Sequence, residues 1–184
     1  IPKVIAPLAK NMAAFRKLVF EVDESGDKDK MDAVAEALLY YADRRVHMQS
    51  KVLPALNEGR WVISDRFADS TMAYQYYGYD KRVPKETLEQ LYAMTVGDFH
   101  PDLTVILDID PQKGLARSLK RNGSAAEQEI RFESRELAFH ENLRRGFLEI
   151  AESAPRYAVL DADKSVDELH REIVKITEER LMHK

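Results

Sequence analysis

The feature that most constrains this fold is a set of short apolar runs, each followed by a longer stretch with helical periodicity. Three such runs cover residues 61–64, 103–107 and 157–160, and a shorter one covers residues 3–6. None of them alternates apolar with polar residues, as a strand with one wet face would. Strands that are apolar on both faces are typical of a parallel sheet covered by helices. The sequence therefore predicts an α/β fold in which a parallel β-sheet is flanked by helices.

Helical periodicity fills the intervals between these runs, with hydrophobic residues recurring at three- and four-residue spacing. The predicted helices are residues 30–56, 70–77, 84–96, 111–121, 135–153 and 166–181. Pro54 lies inside the first of them and is expected to kink its last turn. No linker-like stretch interrupts the 184 residues, so we expect a single domain over residues 1–184.

Composition excludes several classes of function. Twenty-eight basic against 32 acidic residues give a formal net charge of −4, which argues against a protein that tracks nucleic-acid phosphates. The absence of cysteine excludes disulfides, thiolate metal sites and a cysteine nucleophile. No apolar run approaches the length of a membrane span, and no signal-peptide pattern opens the sequence. We expect a cytoplasmic protein whose partners are neither nucleic acids nor membranes.

Polar residues follow one of the predicted strands directly. Ligands of open parallel sheets bind beyond the carboxyl ends of the strands, and residues 61–64 lead straight into Asp65 and Arg66. The planar guanidinium of an arginine suits a phosphate, and the adjacent carboxylate can position a metal-bound water or a reacting oxygen. The alternative is a plain surface ion pair, which contributes little.

Two further clusters combine aromatic and polar side chains on one helical face. Tyr40 and Arg44 are four residues apart, so a base could stack on the ring while the guanidinium binds its edge. The alternative is that Tyr40 packs in the core and Arg44 reaches solvent. Thr71 and Gln75 share a face in the same way, with Tyr74 beside them, and alone they would be only the polar side of a short helix.

A third candidate is the basic segment over residues 117–133, which includes Arg117, Arg121 and Arg131. Arginines on a flap that closes over a transferring phosphoryl group would stabilise its charge and exclude water. A solvated basic helix end is the alternative. Metal-binding and serine-nucleophile motifs are absent, and so is the phosphate loop Gly-x-x-x-x-Gly-Lys-Ser/Thr.

Four segments, in collinear order over about residues 7–171, resemble the thymidylate kinase family of bacterial or phage type. Residues 36–45 (EALLYYADRR) resemble the family helix with an aromatic residue and an arginine four positions later. Residues 64–75 (SDRFADSTMAYQ) resemble its Asp-Arg-aromatic segment ending in Ala-Tyr-Gln, the most specific of the four. Residues 98–108 resemble its Pro-Asp-Leu-Thr strand, and residues 131–141 the stretch after its lid. The resemblance implies a P-loop nucleoside monophosphate kinase-like fold with a lid around residues 117–133.

The resemblance also implies how the base and sugar of dTMP would be held. Tyr40, where the family more often has phenylalanine, would stack on thymine, and Arg44 would bind the base edge. Thr71 and Gln75 would complete recognition of the base. Tyr74 would lie under the deoxyribose and help to exclude a 2′-hydroxyl group. These roles are expectations from the family and do not follow from the spacing of the residues.

On the phosphate side, the resemblance implies that Arg66 holds the acceptor monophosphate and that Asp65 lies near Mg²⁺ and the attacking oxygen. Arg117, Arg121 and Arg131 are candidates for lid contacts to the transferring group. The implied reaction moves the γ-phosphoryl group of ATP to dTMP and yields dTDP, in a homodimeric enzyme of dTTP biosynthesis.

Two departures from the family pattern limit this expectation. The first strand, the phosphate loop and the following helix are missing from the sequence, so the chain as printed is expected to turn over little ATP. The Arg-Glu that usually follows the second strand is also missing, and Pro7 stands close to where it would be. Two alternatives are a non-catalytic nucleotide-binding relative and a related deoxynucleoside kinase. The combination of Tyr40, Arg44 and Arg66 argues against the second.

Overall fold

The computed structural model describes residues 4–5, 32–78, 81–122 and 130–182, with side chains over 32–78, 81–117 and 137–182. All four predicted strands are present. They are β1 (Val4–Ile5), β2 (Val62–Ile63), β3 (Thr104–Asp108) and β4 (Tyr157–Asp161). β1 pairs in parallel with β2, and β3 pairs in parallel with β4. The prediction of an α/β fold with parallel strands flanked by helices is confirmed.

The helices follow the predicted order, with different ends. They are α1 (Ala33–His47), α2 (Leu53–Asn57), α3 (Ala68–Met72), α4 (Lys85–Thr95), α5 (Pro111–Asn122), α6 (Ile130–Ala151) and α7 (Val166–Thr177). π-helical turns extend α1 through Met48–Val52, α3 through Ala73–Gly78 and α7 through Glu178–Met182. Pro54 has no N–H to donate, and the helix changes to π hydrogen bonding in the turn just before it.

The chain divides into two compact units, Ile1–Tyr76 with Lys81–Phe99, and Tyr77–Asp80 with His100–Lys184. The single domain over residues 1–184 stays a prediction. Residues 123–129, in the middle of the expected lid, lie outside the described residues.

The first unit is built around α1. Asp32 caps the helix, since its carboxylate accepts hydrogen bonds from the backbone N–H groups of Val34 and Ala35, each at 3.0 Å. The buried core of this unit joins α1 to α3 and α4. Its members are Ala37, Tyr41, Ala68, Val83, Leu88 and Leu91. This core fixes α1 against the segment after β2, which carries half of the candidate site residues.

In the second unit, α6 packs against both β3 and β4. Tyr77 lies against α6 where Gly146 has no side chain, because a Cβ there would lie 2.5 Å from Cγ of Tyr77. The Tyr77 hydroxyl donates to Oε1 of Glu149 at 2.7 Å. Glycine at position 146 is therefore what allows this close approach.

The strands are less evenly buried than their apolar sequences predict. Ile63 is 50% exposed, Leu107 49% and Val159 44%. Each pair consists of two strands in the described part of the chain, so every strand is an edge strand on one side. Side chains near an open edge are accessible from the side even where helices cover the face, and the expectation of burial on both faces is wrong for these three residues.

Asp108 at the end of β3 forms a bidentate ion pair with Arg144 of α6, with Oδ1–Nε at 2.6 Å and Oδ2–Nη2 at 2.8 Å. Hydrogen bonding from Arg144 lowers the pKa of the Asp108 carboxyl. A carboxylate with a lowered folded-state pKa stabilises the fold above its ordinary pKa, and this contribution is lost as the pH falls through the lowered value.

We therefore expect Asp108→Asn to reduce the free energy of unfolding by about 1 kcal/mol at pH 7, a modest loss because the pair is partly exposed. The deficit should shrink as the pH falls below about 4. Urea unfolding followed by circular dichroism at pH 7 and pH 3 measures both values. Equal deficits at the two pH values would contradict the ion-pair explanation.

Candidate functional site

Arg44 lies buried on α1 and contacts the segment that follows β2. It is 4% exposed. Its Nη2 donates to Oγ1 of Thr71 at 2.8 Å and to the backbone oxygen of Phe67 at 3.2 Å. Burial lowers the pKa of the Arg44 guanidinium, because desolvation disfavours the charged form. The alternative in which Arg44 reaches solvent is therefore wrong.

The core position on this helix belongs to the next tyrosine along the chain. Tyr41 is 1% exposed, and burial raises the pKa of its hydroxyl to about 12. The Cζ atom of Arg44 lies 4.8 Å from the centre of the Tyr41 ring. Tyr40 is only partly buried, so its ring is the one with access to solvent.

Four side chains in this unit have buried hydrogen-bonding atoms that no described residue satisfies. The atoms are Nε and Nη1 of Arg44, Oε1 of Gln75, Nε2 of His47 and Nε of Arg60. Of these residues, Arg44 and Gln75 are buried, and His47 and Arg60 are only partly buried. An unmatched buried donor or acceptor costs about 1–3 kcal/mol, and native folds contain few of them. Arg44 and Gln75 are also the two that the sequence singled out, so their unmatched atoms make this cluster the candidate binding site for a polar ligand.

Glu36 is the residue of this cluster that sequence analysis missed. Its Oε2 accepts a hydrogen bond from Nε2 of Gln75 at 3.0 Å, and its Oε1 accepts one from the Tyr40 hydroxyl at 3.4 Å. The structure thus joins Tyr40 to Gln75 through one carboxylate, although 39 residues separate Glu36 from Gln75. The available signal was the four-residue spacing of Glu36 and Tyr40, which places them on one face of α1.

Arg66 follows β2 in a backbone conformation unusual for its residue type. Its φ is +71°, in the left-handed region that favours glycine. The Ser64 hydroxyl donates to the carbonyl oxygen of Arg66 at 2.8 Å. The Arg66 side chain is exposed, and its Cζ atom lies 5.1 Å from the centre of the Tyr74 ring. Strain of this kind occurs most often where function requires a particular side chain. Asp65 is exposed beside it.

The candidate lid arginines belong to the second unit. Arg117 donates to the Ala162 carbonyl oxygen at 2.8 Å and to Oδ1 of Asp163 at 2.6 Å, so its guanidinium binds the turn after β4. The side chains of Arg121 and Arg131 lie outside the described residues. Their roles and that of Arg117 stay predictions.

A cavity of about 490 Å³ lies in the second unit, between the end of β3 and α6. Leu143, Phe147 and Leu148 contribute apolar walls, and the Asp108–Arg144 pair forms a polar wall. It contains none of the site residues predicted from the sequence. Size alone therefore does not identify the functional site here.

In the ranges that carry side chains, no group of three or more histidine, aspartate or glutamate residues could hold a metal ion. Over the same part of the chain, no helix combines the length and the hydrophobicity needed to cross a bilayer.

Parallel strands flanked by helices, with polar residues at a strand end and an aromatic–arginine helix beside them, define a nucleoside monophosphate kinase-like fold. The solved thymidylate kinase of Ehrlichia chaffeensis has the same fold, with a TM-score of 0.67 and 26% sequence identity. That likeness covers 96% of this chain and 80% of the solved chain.

The family model for thymidylate kinase matches residues 14–173. The thymidylate kinase of Bradyrhizobium sp. (strain ORS 278) is 43% identical over 158 residues, which are 85% of this chain and 68% of that protein. The thymidylate kinase of Magnetococcus marinus is 44% identical over 147 residues, which are 79% of this chain and 67% of that protein. The chain belongs to the thymidylate kinase family, and it spans about two thirds of the length of these relatives.

Proposed function

We propose that this chain is a thymidylate kinase, which binds dTMP and transfers the γ-phosphoryl group of ATP to it to yield dTDP. The observation that carries the proposal is that Arg44 and Gln75, the two fully buried members of the unsatisfied set, are residues expected to bind the base, in a chain that belongs to this family. A pyrimidine base offers hydrogen-bonding groups of both kinds, so it can satisfy the free donors of Arg44 and the free acceptor of Gln75.

The remaining roles are part of the proposal, and the positions of several side chains support them. Tyr40 stacks on the base, since it is the partly exposed tyrosine of α1. Thr71 accepts a hydrogen bond from Arg44, and its hydroxyl hydrogen stays available for the base. Tyr74 lies under the sugar and helps to exclude a 2′-hydroxyl group. Arg66, held over the Tyr74 ring, binds the 5′-phosphate with its planar guanidinium.

Mg²⁺ suits the phosphate end of this site. The ion is usually held by one or two carboxylates together with phosphate oxygens and water. Asp65 offers one exposed carboxylate beside Arg66, which fits that requirement. Mg²⁺ bound with ATP would neutralise charge on the transferring phosphoryl group. The contribution of the chain is to hold dTMP in a fixed orientation and to keep its phosphate beside Asp65.

Three expectations remain proposals. Arg117, Arg121 and Arg131 are the candidates for contacts to the transferring group, and the enzyme is expected to be a cytoplasmic homodimer. No Gly-x-x-x-x-Gly-Lys-Ser/Thr motif occurs in the 184 residues, so low ATP turnover by the chain as printed stays a prediction. The relatives do not favour a non-catalytic or deoxynucleoside kinase alternative.

Isothermal titration calorimetry with nucleotides tests the binding proposal directly on the 184-residue chain. We expect the chain to bind dTMP, and to bind dAMP and dGMP at least about tenfold more weakly, because a purine does not match a site built for a pyrimidine edge. Equal affinity for all three nucleotides would contradict a dTMP site.

The stacking role of Tyr40 makes a separate prediction. Tyr40→Ala should weaken dTMP binding by about tenfold or more, because stacking of a base on an aromatic ring is worth about 1–3 kcal/mol. The variant should keep the circular dichroism spectrum of the wild-type chain. Tyr40→Phe is the matched control, since it keeps the ring and should retain most of the affinity. A loss of dTMP affinity together with a loss of the folded circular dichroism signal would point to a folding defect instead.

A further inference from the structure

We infer that Glu36 is a positioning residue that fixes the orientation of the Gln75 amide, and that this orientation selects pyrimidines with a 4-oxo group over cytosine. The inference rests on the proposed function, because it concerns the base in the same site. Glu36 itself is not expected to touch the nucleotide. It acts through Gln75 and through the Tyr40 ring.

The orientation of Gln75 follows from the chemistry of its partner. Nε2 of Gln75 donates to Oε2 of Glu36 at 3.0 Å. A carboxylate oxygen accepts hydrogen bonds and does not donate them, so the amide must turn its NH₂ group toward Glu36. Oε1 of Gln75 then points away from Glu36, and it has no partner among the described residues. The opposite orientation would place two acceptor oxygens against each other.

Glu36 is itself held in place from its own helix. Its second oxygen, Oε1, accepts the hydrogen bond from the Tyr40 hydroxyl at 3.4 Å. Both carboxylate oxygens are thus engaged, one by the residue proposed to stack on the base and one by a residue proposed to bind its edge. A carboxylate held by two hydrogen bonds restricts the orientation of the Gln75 amide more than a freely rotating carboxylate would.

The free atoms that result form a pattern that distinguishes bases. Gln75 presents an acceptor, and Nε and Nη1 of Arg44 are donors. Thymine and uracil carry an N3–H donor next to a 4-oxo acceptor, which matches this pattern. Cytosine carries an acceptor at N3 and an amino donor at C4, so it would set acceptor against acceptor and donor against donor. Gln75 could serve cytosine only if its amide turned over, and Glu36 opposes that turn.

The test compares three nucleotides on three proteins. Glu36→Gln keeps the shape of the side chain, but its amide can donate as well as accept, so both orientations of Gln75 become possible. Glu86→Gln is the matched control, because it makes the same chemical change at an exposed residue in the first turn of α4. Dissociation constants for dTMP, dUMP and dCMP are measured by isothermal titration calorimetry on the wild-type chain and both variants.

In Glu36→Gln, the ratio of the dCMP to the dTMP dissociation constant should fall about tenfold, in line with the cost of one mismatched buried group. The ratio of dUMP to dTMP should not change, since these bases share the same hydrogen-bonding edge. Glu86→Gln should leave both ratios at their wild-type values. If Glu36 has a purely structural role, Glu36→Gln should weaken the binding of all three nucleotides by the same factor and leave both ratios unchanged. That result would overturn the inference.

The outcomes separate this inference from the proposed function. If the wild-type chain binds none of the three nucleotides, the proposed function fails and the inference falls with it. If the wild-type chain prefers dTMP and Glu36→Gln keeps the full preference over dCMP, only the inference fails. Should Glu36→Gln not fold by circular dichroism, Glu36→Ala removes the same anchor by another route and must produce the same fall in the dCMP-to-dTMP ratio.

Discussion

Replacing Arg66 with alanine should weaken dTMP binding by about 10- to 150-fold while leaving the binding of thymidine nearly unchanged. A hydrogen bond to a charged group contributes about 1.5–3 kcal/mol, which corresponds to this range of affinity. Thymidine lacks the phosphate and should not depend on Arg66. Isothermal titration calorimetry with both ligands gives the two ratios, and an equal loss for both would remove Arg66 from the phosphate role.

A glycine variant supplies the control for the strained backbone. Arg66 has a φ of +71°, and glycine adopts this conformation without steric cost. Arg66→Gly should therefore be at least as stable toward urea as the wild-type chain and should lose dTMP affinity like Arg66→Ala. If the free energy of unfolding of Arg66→Gly is instead about 2 kcal/mol lower than that of the wild-type chain, the loss exceeds the ordinary effect of such a change. Arg66 would then stabilise the fold and would not be needed for the ligand.

The order of strands and helices was predictable because it depends on local pattern. Uninterrupted apolar runs and helical spacing carry that information, and Pro54 marked the disturbance that the structure resolves as the π turn Met48–Val52. The burial of the strands was not predictable in the same way. It depends on how many strands lie side by side. In the described part of the chain β2 and β3 each pair with one strand, and Ile63 and Leu107 are half exposed despite their apolar neighbours.

Within the site, sequence analysis identified Tyr40 and Arg44 as a pair but left open which would be buried. Successive residues of a helix differ by about 100° around its axis, so Tyr40 and Tyr41 face different directions. The sequence pattern alone does not say which of the two tyrosines faces the core. The structure buries Tyr41 and Arg44. The choice depends on packing against Phe67 and Thr71, which lie in another segment of the chain.

Glu36 was missed for a related reason. A glutamate in the first turn of a helix is explained well enough by the helix dipole. Its contact with Gln75 spans 39 residues and arises only when α1 packs beside the turn Ala73–Gly78. Arg117 shows the same limit in the second unit, since its ion pair with Asp163 joins residues 46 positions apart. Contacts of this length are set by the fold and not by spacing.

Arg44→Met should cost about 100-fold in dTMP affinity while changing the free energy of unfolding by no more than about 1–2 kcal/mol. The buried guanidinium is expected to bind the base edge with charge-assisted hydrogen bonds, so its loss removes that binding. The fold loses the hydrogen bond to Thr71, but it also no longer buries a charge with two unsatisfied donors. Replacing a buried charged group with an apolar side chain of similar size is often close to neutral for stability.

Arg45→Met is the matched control for this prediction, because it makes the same substitution at the next residue of the same helix. Arg45 is exposed, and its Nη1 donates to the Thr95 carbonyl oxygen at 3.1 Å. Arg45→Met should lose little stability and no dTMP affinity. Urea unfolding and calorimetry on both variants give a two-by-two comparison of stability and binding. A ligand-binding role for Arg44 requires the folded variant to lose affinity for dTMP. If Arg44→Met instead lost several kcal/mol of stability while its folded fraction bound dTMP normally, Arg44 would be a structural residue.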